Sequence, residues 1–351
     1  TTGPSKGATV CHAHAYEYSN CLAEALELGP EDVYFAPLPL FHIAGQWAVV
    51  YAAMIAEACV VITQRFSVRQ FWPTVSRYGA NTTLLLDVMA HFLLNQPVDP
   101  KDAETPLDKV HLSAVIPELH EFKKRFGVRV TTDLASTEMC APLRAGYVAG
   151  SDHHKFHDLT THRSCGRVVS DRFEVRLVDE NDDEVPVGEI GELTVRAKYP
   201  WLLMAGYWNQ PQATVNAWRN LWLHTGDALY RDEAGEYYFV DRMRDVIRRR
   251  GENISSMEIE NVLNSHQDVL ESAVFAVASS LGDEEIMAVI ATKTLIDLAQ
   301  IAEYAAARLP AFMVPRFYER TQAIPKTESG KIKKYELRNR GLRCETWELT
   351  T

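Results

Sequence analysis

Helix-like and strand-like segments alternate through the first 135 residues or so, and that alternation most constrains what the chain can fold into. Tyr16 to Leu28 reads as a helix stopped by Gly29-Pro30, and Val33 to Ala36 as a strand. A helix follows Pro39, then a strand from Cys59 to Thr63. Ser67 to Tyr78 is helical by spacing, with Val68, Phe71, Trp72 and Val75 on one face. Thr82 to Leu86 reads as a strand, followed by a helix through Leu94. Pro117 to Phe126 reads as a helix with Pro117 suited to its first position, and Val128 to Val130 as a strand. Strands separated by helices cannot pair as hairpins, so the expectation is a mainly parallel sheet with helices on its faces.

After His162 the texture changes. Phe173 to Val178 and Glu192 to Arg196 read as strands around the turn Asp179 to Asp183, and Tyr237 to Val240 as another, a β-rich subdomain. From Asp245 a third pattern begins: a helix over Met257 to Asn264, strands at Ser272 to Val277 and Ile286 to Ala291, a helix from Leu298 to Leu309, and a basic tail. The fold class expected is α/β, with a large N-terminal domain and a small C-terminal α+β domain. The boundaries fall at 1–160 for the α/β part, 161–242 for the β-rich subdomain and 245–351 for the C-terminal domain.

A net charge of -11 argues against nucleic acid as the main partner, because phosphate backbones need clustered cations. The six cysteines are scattered without a CxxC pair, as in reduced cytoplasmic proteins. Ile43 to Ile62 is apolar enough to raise a membrane span of about twenty residues. Gln46 and Glu57 interrupt it and a β-branched run ends it, so a buried helix and strand fit better.

The chain opens Thr1-Thr2-Gly3-Pro4-Ser5-Lys6-Gly7. Glycine lets backbone N–H groups approach a phosphate chain, hydroxyls donate, and Lys adds charge. Alone, the same residues fit an ordinary Gly-Pro loop. Further on come Trp222-Leu223-His224-Thr225-Gly226-Asp227, an acid after a tight turn, and Asp241-Arg242-Met243-Arg244-Asp245, which leads into Arg248-Arg249-Arg250-Gly251-Glu252-Asn253. The loop Pro325-Lys326-Thr327-Glu328-Ser329-Gly330-Lys331 closes the series. In this order the segments resemble the signature of the acyl-adenylate-forming (AMP-binding) superfamily: acyl-CoA synthetases, luciferases and peptide-synthetase adenylation domains.

Pro37 to Gly45, Ser136-Thr137-Glu138, Gly188 to Leu193 and Gly206-Tyr207-Trp208-Asn209 also resemble family motifs, so the likeness runs from residue 1 to about 342. Gly251 to Ser256 and Leu309 to Pro315 are most similar to the carnitine/crotonobetaine-CoA ligase-like branch. Family members usually carry another Ser/Thr-Gly before Thr1 and a sizeable segment before that, so the large domain is expected to be incomplete.

The resemblance implies an ATP-dependent carboxylic acid–CoA ligase that uses ATP, Mg²⁺ and coenzyme A. Thr1, Thr2, Gly3, Lys6 and Gly7 would cradle phosphates, and Thr137 would contact the α-phosphate. Glu138 would hold Mg²⁺, a hard cation that prefers oxygen. Leu134, Ala135 and Ser136 would lie at the nucleotide, and Asp227 and Arg242 would bind the ribose. Lys331 would be the catalytic lysine on a mobile loop, and His42 would gate the acyl pocket. Arg244 sits at the family's hinge. Arg248 would reach the nucleotide, and Arg250, Gly251 and Glu252 the path of coenzyme A.

Read as residues only, Glu138 also fits a solvated loop acid, Lys331 a surface lysine, and Arg248 to Arg250 a solvated strand edge. His12 with His14, and His153, His154, His157 with His162, lack a zinc spacing with cysteine and read as loop histidines.

The chain departs from the family at the adenine. Leu134-Ala135 stand where an aromatic-Gly pair is usual, and Ser113 to Pro117 replace a Gly-Gly-Ala-Pro stretch. Leu cannot stack on a purine as an aromatic ring does. Phe66 is followed by Ser67 rather than by the Asp that pairs an α-ammonium in amino-acid-activating domains. Trp47, Val50, Leu86 and Met89 are the expected pocket residues, apolar and suited to a medium acyl group. Loading of a separate carrier protein and a binding-only homologue stay open, as does homo-oligomerisation.

Overall fold

The computed structural model describes residues 6–146, 159, 164–169, 171–249, 252–278, 284–327, 332–343 and 346–349. The chain forms two compact units: Lys6–Thr225 with Leu229–Phe239, and Gly226–Ala228 with the chain from Val240 onward.

The first unit contains, in chain order, β1 (Ala8–Thr9), α1 (His12–Ala25) and β2 (Val33–Ala36). A helical run follows, α2 (Ile43–Gly45), a π-helical stretch (Gln46–Tyr51) and α3 (Ala52–Ile55), then β3 (Cys59–Ile62) and α4 (Val68–Tyr78). Next come β4 (Thr82–Leu86), α5 (Asp87–Leu94), β5 (Lys109–Ser113), α6 (Leu119–Phe126), β6 (Arg129–Ser136) and β7 (Cys140–Gly146). The later elements are β8 (Ser164–Val168), β9 (Phe173–Val178), β10 (Gly191–Ala197), β11 (Gly206–Tyr207), α7 (Pro211–Ala217), β12 (Leu223–Arg231) and β13 (Tyr237–Arg242).

One sheet runs β3-β2-β4-β5-β6-β7-β8-β13-β12-β10-β9. Pairs from β3 to β6 are parallel, as the alternating pattern predicts, and β6–β7 and β7–β8 are antiparallel. The β-rich stretch therefore continues the same sheet through β7–β8 pairing. The inner parallel strands β2 and β4 are apolar on both faces because both are covered. In β2, Tyr34 and Ala36 enter one core and Phe35 the other, and in β4 Leu84 and Leu85 divide likewise.

Several expected boundaries shift. α1 occupies His12–Ala25 rather than Tyr16 to Leu28, because Glu27 turns left-handed at φ 46, ahead of the Gly29-Pro30 stop. α6 starts at Leu119, so Pro117 lies outside it. β5 went unread; its Val110, Leu112 and His111 are buried. The expected strand at Val128 to Val130 is the start of β6, which runs on to Ser136. The turn expected before Asp227 is a glycine kink, Gly226 at φ 72, inside continuous β12. Ile43 to Ile62 resolves into the helical run and β3, and among the described residues no helix is long and apolar enough to cross a membrane. Cys21, Cys140 and Cys165 are buried, Cys11 and Cys59 are exposed, and Cys344 lies outside the described residues.

The second unit holds the hairpin β14 (Ile247–Arg249) and β15 (Glu252–Ile254), α8 (Ser256–Asn264), β16 (Val269–Ala278), β17 (Glu284–Thr292), α9 (Leu298–Ala306), β18 (Phe317–Thr321), α10 (Lys334–Arg340) and β19 (Trp347–Glu348). Its sheet runs β16-β17-β18-β19. Alternate residues of β17 feed opposite cores: Ile286, Ala288 and Ile290 one, Met287, Val289 and Ala291 the other. α8 and α9 cover the first through Ile259, Leu263, Ile301 and Ala305, and Leu337 of α10 covers the second.

A buried charge cluster fixes where α8 and α10 meet. Asp241 Oδ2 accepts from the Ser256 amide at 2.7 Å and the Ser256 hydroxyl at 2.5 Å, capping α8 at its positive end. Lys334 Nζ lies 2.6 Å from Ser256 Oγ and 2.8 Å from Glu260 Oε1. Burial pulls the Lys334 ammonium toward deprotonation, but Glu260, Asp241 and Asp245 outweigh it and raise its pKa above 10.5. Arg338 adds a pair to Asp245 at 2.6 Å.

Lys334→Met strands buried acids and should cost about 3 kcal/mol of stability at neutral pH. A raised lysine pKa contributes stability that is full below its ordinary 10.5 and lost as pH rises through the folded value. Urea unfolding of wild type and variant should therefore differ at pH 7 and converge above that range. A constant difference would remove the charge from the account.

Candidate active site

The first unit brings three sequence-predicted residues, Lys6, Gly7 and Glu138, to one place, and Tyr207 joins them. Glu138 sits in the turn between β6 and β7, where the parallel half of the sheet reverses. β1, leaving the Lys6-Gly7 loop, pairs antiparallel with β11, Ala8 opposite Tyr207 and Thr9 opposite Gly206. The Trp208 amide donates to the Gly7 carbonyl at 2.7 Å, and the Ala205 amide to that of Thr9 at 2.8 Å. The same segment grips Glu138: the Met204 amide donates to its carbonyl at 2.9 Å, and the Tyr207 hydroxyl to Oε1 at 3.0 Å. Lys6 Nζ lies 5.0 Å from the Tyr207 ring centroid, within cation–π range.

Gly206 makes this approach possible. Its φ is 153°, and a Cβ there would meet Thr214 Cγ2 at 2.6 Å. The Thr214 hydroxyl accepts from the Tyr207 amide at 2.8 Å, fixing the start of the strand.

One carboxylate with hard oxygen donors fits Mg²⁺, which takes one or two protein carboxylates and completes its shell with phosphate and water. Among the described residues no group of three His, Cys, Asp or Glu forms a cage that could hold a metal ion. Thr137 is half-buried beside it. Thr1, Thr2 and Gly3 lie outside the described residues.

Leu134 and Ala135 end β6 and pack half-buried on the first core, so the segment expected at adenine is aliphatic, and Ser136 Oγ accepts from the Glu138 amide at 3.3 Å. His42 caps the helical run, its Nδ1 accepting from the Ala44 amide at 3.1 Å. Trp47, Leu86 and Met89 pack on one core, whereas Val50, half-buried, is not among them. Trp47 contacts the rings of Tyr18 and His14, each at 6.0 Å. His14 is fully buried with its pKa lowered by burial, while His12 is exposed, so the two do not share a site. The second histidine group lies outside the described residues. Tyr207 was missed as a functional residue, because its only sequence signal is a motif about 70 residues from Glu138.

In the second unit, Asp227 and Arg242 pair at 2.8 Å, and the Asp227 side chain is 4% exposed. The Met243 amide donates to the Gly226 carbonyl at 2.8 Å, holding the segment beside the kink. Arg244 is half-buried, and burial lowers its pKa. The arginine run splits by strand alternation. Arg248 is exposed; Arg249 is buried, 2.8 Å from Glu285, and donates to the carbonyls of Phe312 and Val314. A solvated edge is thus wrong for Arg249, which anchors the hairpin. Glu252 is exposed on β15; Arg250, Gly251 and Lys331 lie outside the described residues. The base of the Lys331 loop is fixed by a Lys326–Ile332 bridge and by the Lys333 amide donating to the Pro325 carbonyl at 2.8 Å.

Residues 1–208 match the AMP-binding enzyme family and residues 258–331 the AMP-binding enzyme C-terminal domain. The chain is 33% identical over 344 residues to the crotonobetaine/carnitine–CoA ligase of Salmonella paratyphi C, covering 96% of this chain and 65% of that protein. Its fold resembles O-succinylbenzoate coenzyme A synthetase from Bacillus subtilis in complex with AMP, with TM-score 0.81 and 26% identity over 99% of this chain and 68% of that one. It also resembles ATP-bound MatB from Rhodopseudomonas palustris, with TM-score 0.82 and 24% identity over 97% and 66%. The chain thus spans about two thirds of the length of these relatives, and it belongs to the AMP-binding enzyme family.

Proposed function

We propose that the protein is an ATP-dependent acid–CoA ligase. It adenylates a carboxylic acid, releasing pyrophosphate, and transfers the acyl group to coenzyme A. The single observation that carries this is Glu138 and Lys6 joined through Tyr207, a carboxylate and an ammonium gathered on one side chain, as metal and phosphate binding would need.

In the first half-reaction the substrate carboxylate attacks the α-phosphorus of ATP, and the bond to pyrophosphate breaks. Lys6 and Gly7 hold the phosphate chain with Thr1, Thr2 and Gly3, and Thr137 orients the α-phosphate. Glu138 holds Mg²⁺, which neutralises phosphate charge when bound. Leu134, Ala135 and Ser136 contact the nucleotide, and Asp227 and Arg242, already paired, hold the ribose. Lys331 neutralises charge that builds between carboxylate and phosphate, an interaction strongest in the transition state. In the second half-reaction the thiolate attacks the acyl carbon and AMP leaves. Arg250, Gly251 and Glu252 belong to that path, Arg248 reaches the nucleotide, and Arg244 belongs to the hinge between the two states.

His42 gates the acyl pocket, and Trp47 with Leu86 and Met89 suits a medium acyl group. Crotonobetaine and carnitine enter the test because of the names of the relatives. The functional divisions are 1–160, 161–242 and a mobile 245–351, and the protein acts in the cytoplasm.

The test is pyrophosphate release by the whole protein with Mg·ATP across a panel of acids, with and without coenzyme A. Release should depend on the acid, and acyl-CoA should form only with coenzyme A. Lys331→Ala should slow release about 100-fold or more, as when one charge-stabilising donor is removed. Release without acyl-CoA would point to a carrier protein as acceptor. No release from a folded, ATP-binding protein would leave a binding-only homologue.

A further inference from the structure

We propose that Tyr207 is a positioning residue for the cation site: its hydroxyl holds Glu138 in the orientation that engages a nucleotide-bound divalent cation, and its ring seats Lys6 beside it. The inference rests on the reading of Glu138 and Lys6 given above.

A glutamate side chain has three rotatable bonds, and fixing them costs conformational entropy. A hydroxyl bonded to one carboxylate oxygen removes part of that cost before the ligand arrives. At Glu138 the Tyr207 hydroxyl takes Oε1 at 3.0 Å, and the Met204 amide holds the backbone of the same residue at 2.9 Å. Carboxylate and backbone are thus fixed from one short segment, 204–207. Magnesium demands near-ideal octahedral geometry, so a pre-aimed ligand oxygen matters more for it than for a forgiving ion. Groups that orient a metal's ligands commonly change affinity 10- to 100-fold when removed.

The ring has a separate task. Lys6 lies 5.0 Å from its centroid, and attraction to the π face keeps the ammonium from swinging onto the Glu138 carboxylate. A direct Lys6–Glu138 pair would cancel the two charges that must act on different ligand atoms. Tyr207 separates them while fastening both to β11, which pairs with the strand leaving the phosphate loop. Phenylalanine would keep the ring and lose the hydroxyl, so the two tasks separate in one substitution.

ATP binding by the whole protein, measured by titration calorimetry in Mg²⁺ and in EDTA, tests this. Tyr207→Phe should weaken Mg·ATP about tenfold and leave metal-free ATP within about twofold, because only the cation-facing contact is lost. In a Glu138→Gln background the same substitution should add nothing. Equal weakening with and without Mg²⁺ would reduce Tyr207 to a fold-supporting residue and overturn the inference. Wild type indifferent to Mg²⁺ would overturn the Glu138 reading and this inference with it; a Mg²⁺-dependent wild type matched by Tyr207→Phe would overturn this inference alone. Mn·ATP added to wild type with isotope-labelled tyrosine needs no variant. It should broaden the Tyr207 ring signals strongly, and unbroadened signals with ATP bound would contradict the proposal.

Discussion

Glu138 is held twice by one short segment, at its carbonyl by the Met204 amide and at its carboxylate by the Tyr207 hydroxyl. Much of the large unit is arranged so that this can happen. The parallel strands end at β6, inside the sheet, where the strand direction reverses, and Glu138 occupies the turn from β6 to β7. β1 and β11 bring the Lys6-Gly7 loop to the same turn. The absence of a Cβ at Gly206 lets the β11 backbone pass Thr214, whose hydroxyl accepts from the Tyr207 amide. The energy of each bond is modest, on the order of 1 kcal/mol for a neutral pair and more for one to a carboxylate. Their value lies in the geometry they impose on two charges.

The second unit solves a different problem. It must present charged residues near a chain segment that carries Asp227 and Arg242 while burying little unpaired charge. It does so by satisfying acids in series. Asp241 caps α8, Lys334 joins Glu260 and Ser256, and Arg338 pairs with Asp245. Arg249, inside an exposed-looking arginine run, is spent on Glu285 and two carbonyls. Such groups destabilise if one partner is removed, so they define which elements must stay together.

Much of the fold was legible because burial leaves a strong trace. Val33–Ala36, Thr82–Leu86 and Phe173–Val178 read as strands with the bounds they have, since their apolar runs feed cores on the sheet faces. Misread boundaries were those set by single backbone conformations rather than by burial. The left-handed Glu27 ends α1 before its visible stop signal, and the positive φ at Gly226 bends a strand that looked like a turn. β5 was hidden because Lys109 and His111, both buried, break its apolar run. Lys6 and Glu138 in one unit, and Asp227 and Arg242 in the other, stand out by motif order, whereas the partners they meet in space do not. Tyr207 reaches Glu138 across about 70 residues of chain, and Lys334 meets Glu260 across a similar span. Neither meeting has a local spacing to betray it.

The most direct test of the central claim is amide hydrogen exchange with and without Mg·ATP. If one segment holds both the Lys6-Gly7 loop and Glu138, the Met204, Ala205 and Trp208 amides should gain protection together with the loop when the nucleotide binds. Protection confined to residues 6–9, with 204–208 exchanging as before, would show that the loop and Glu138 act independently, and the account would fail.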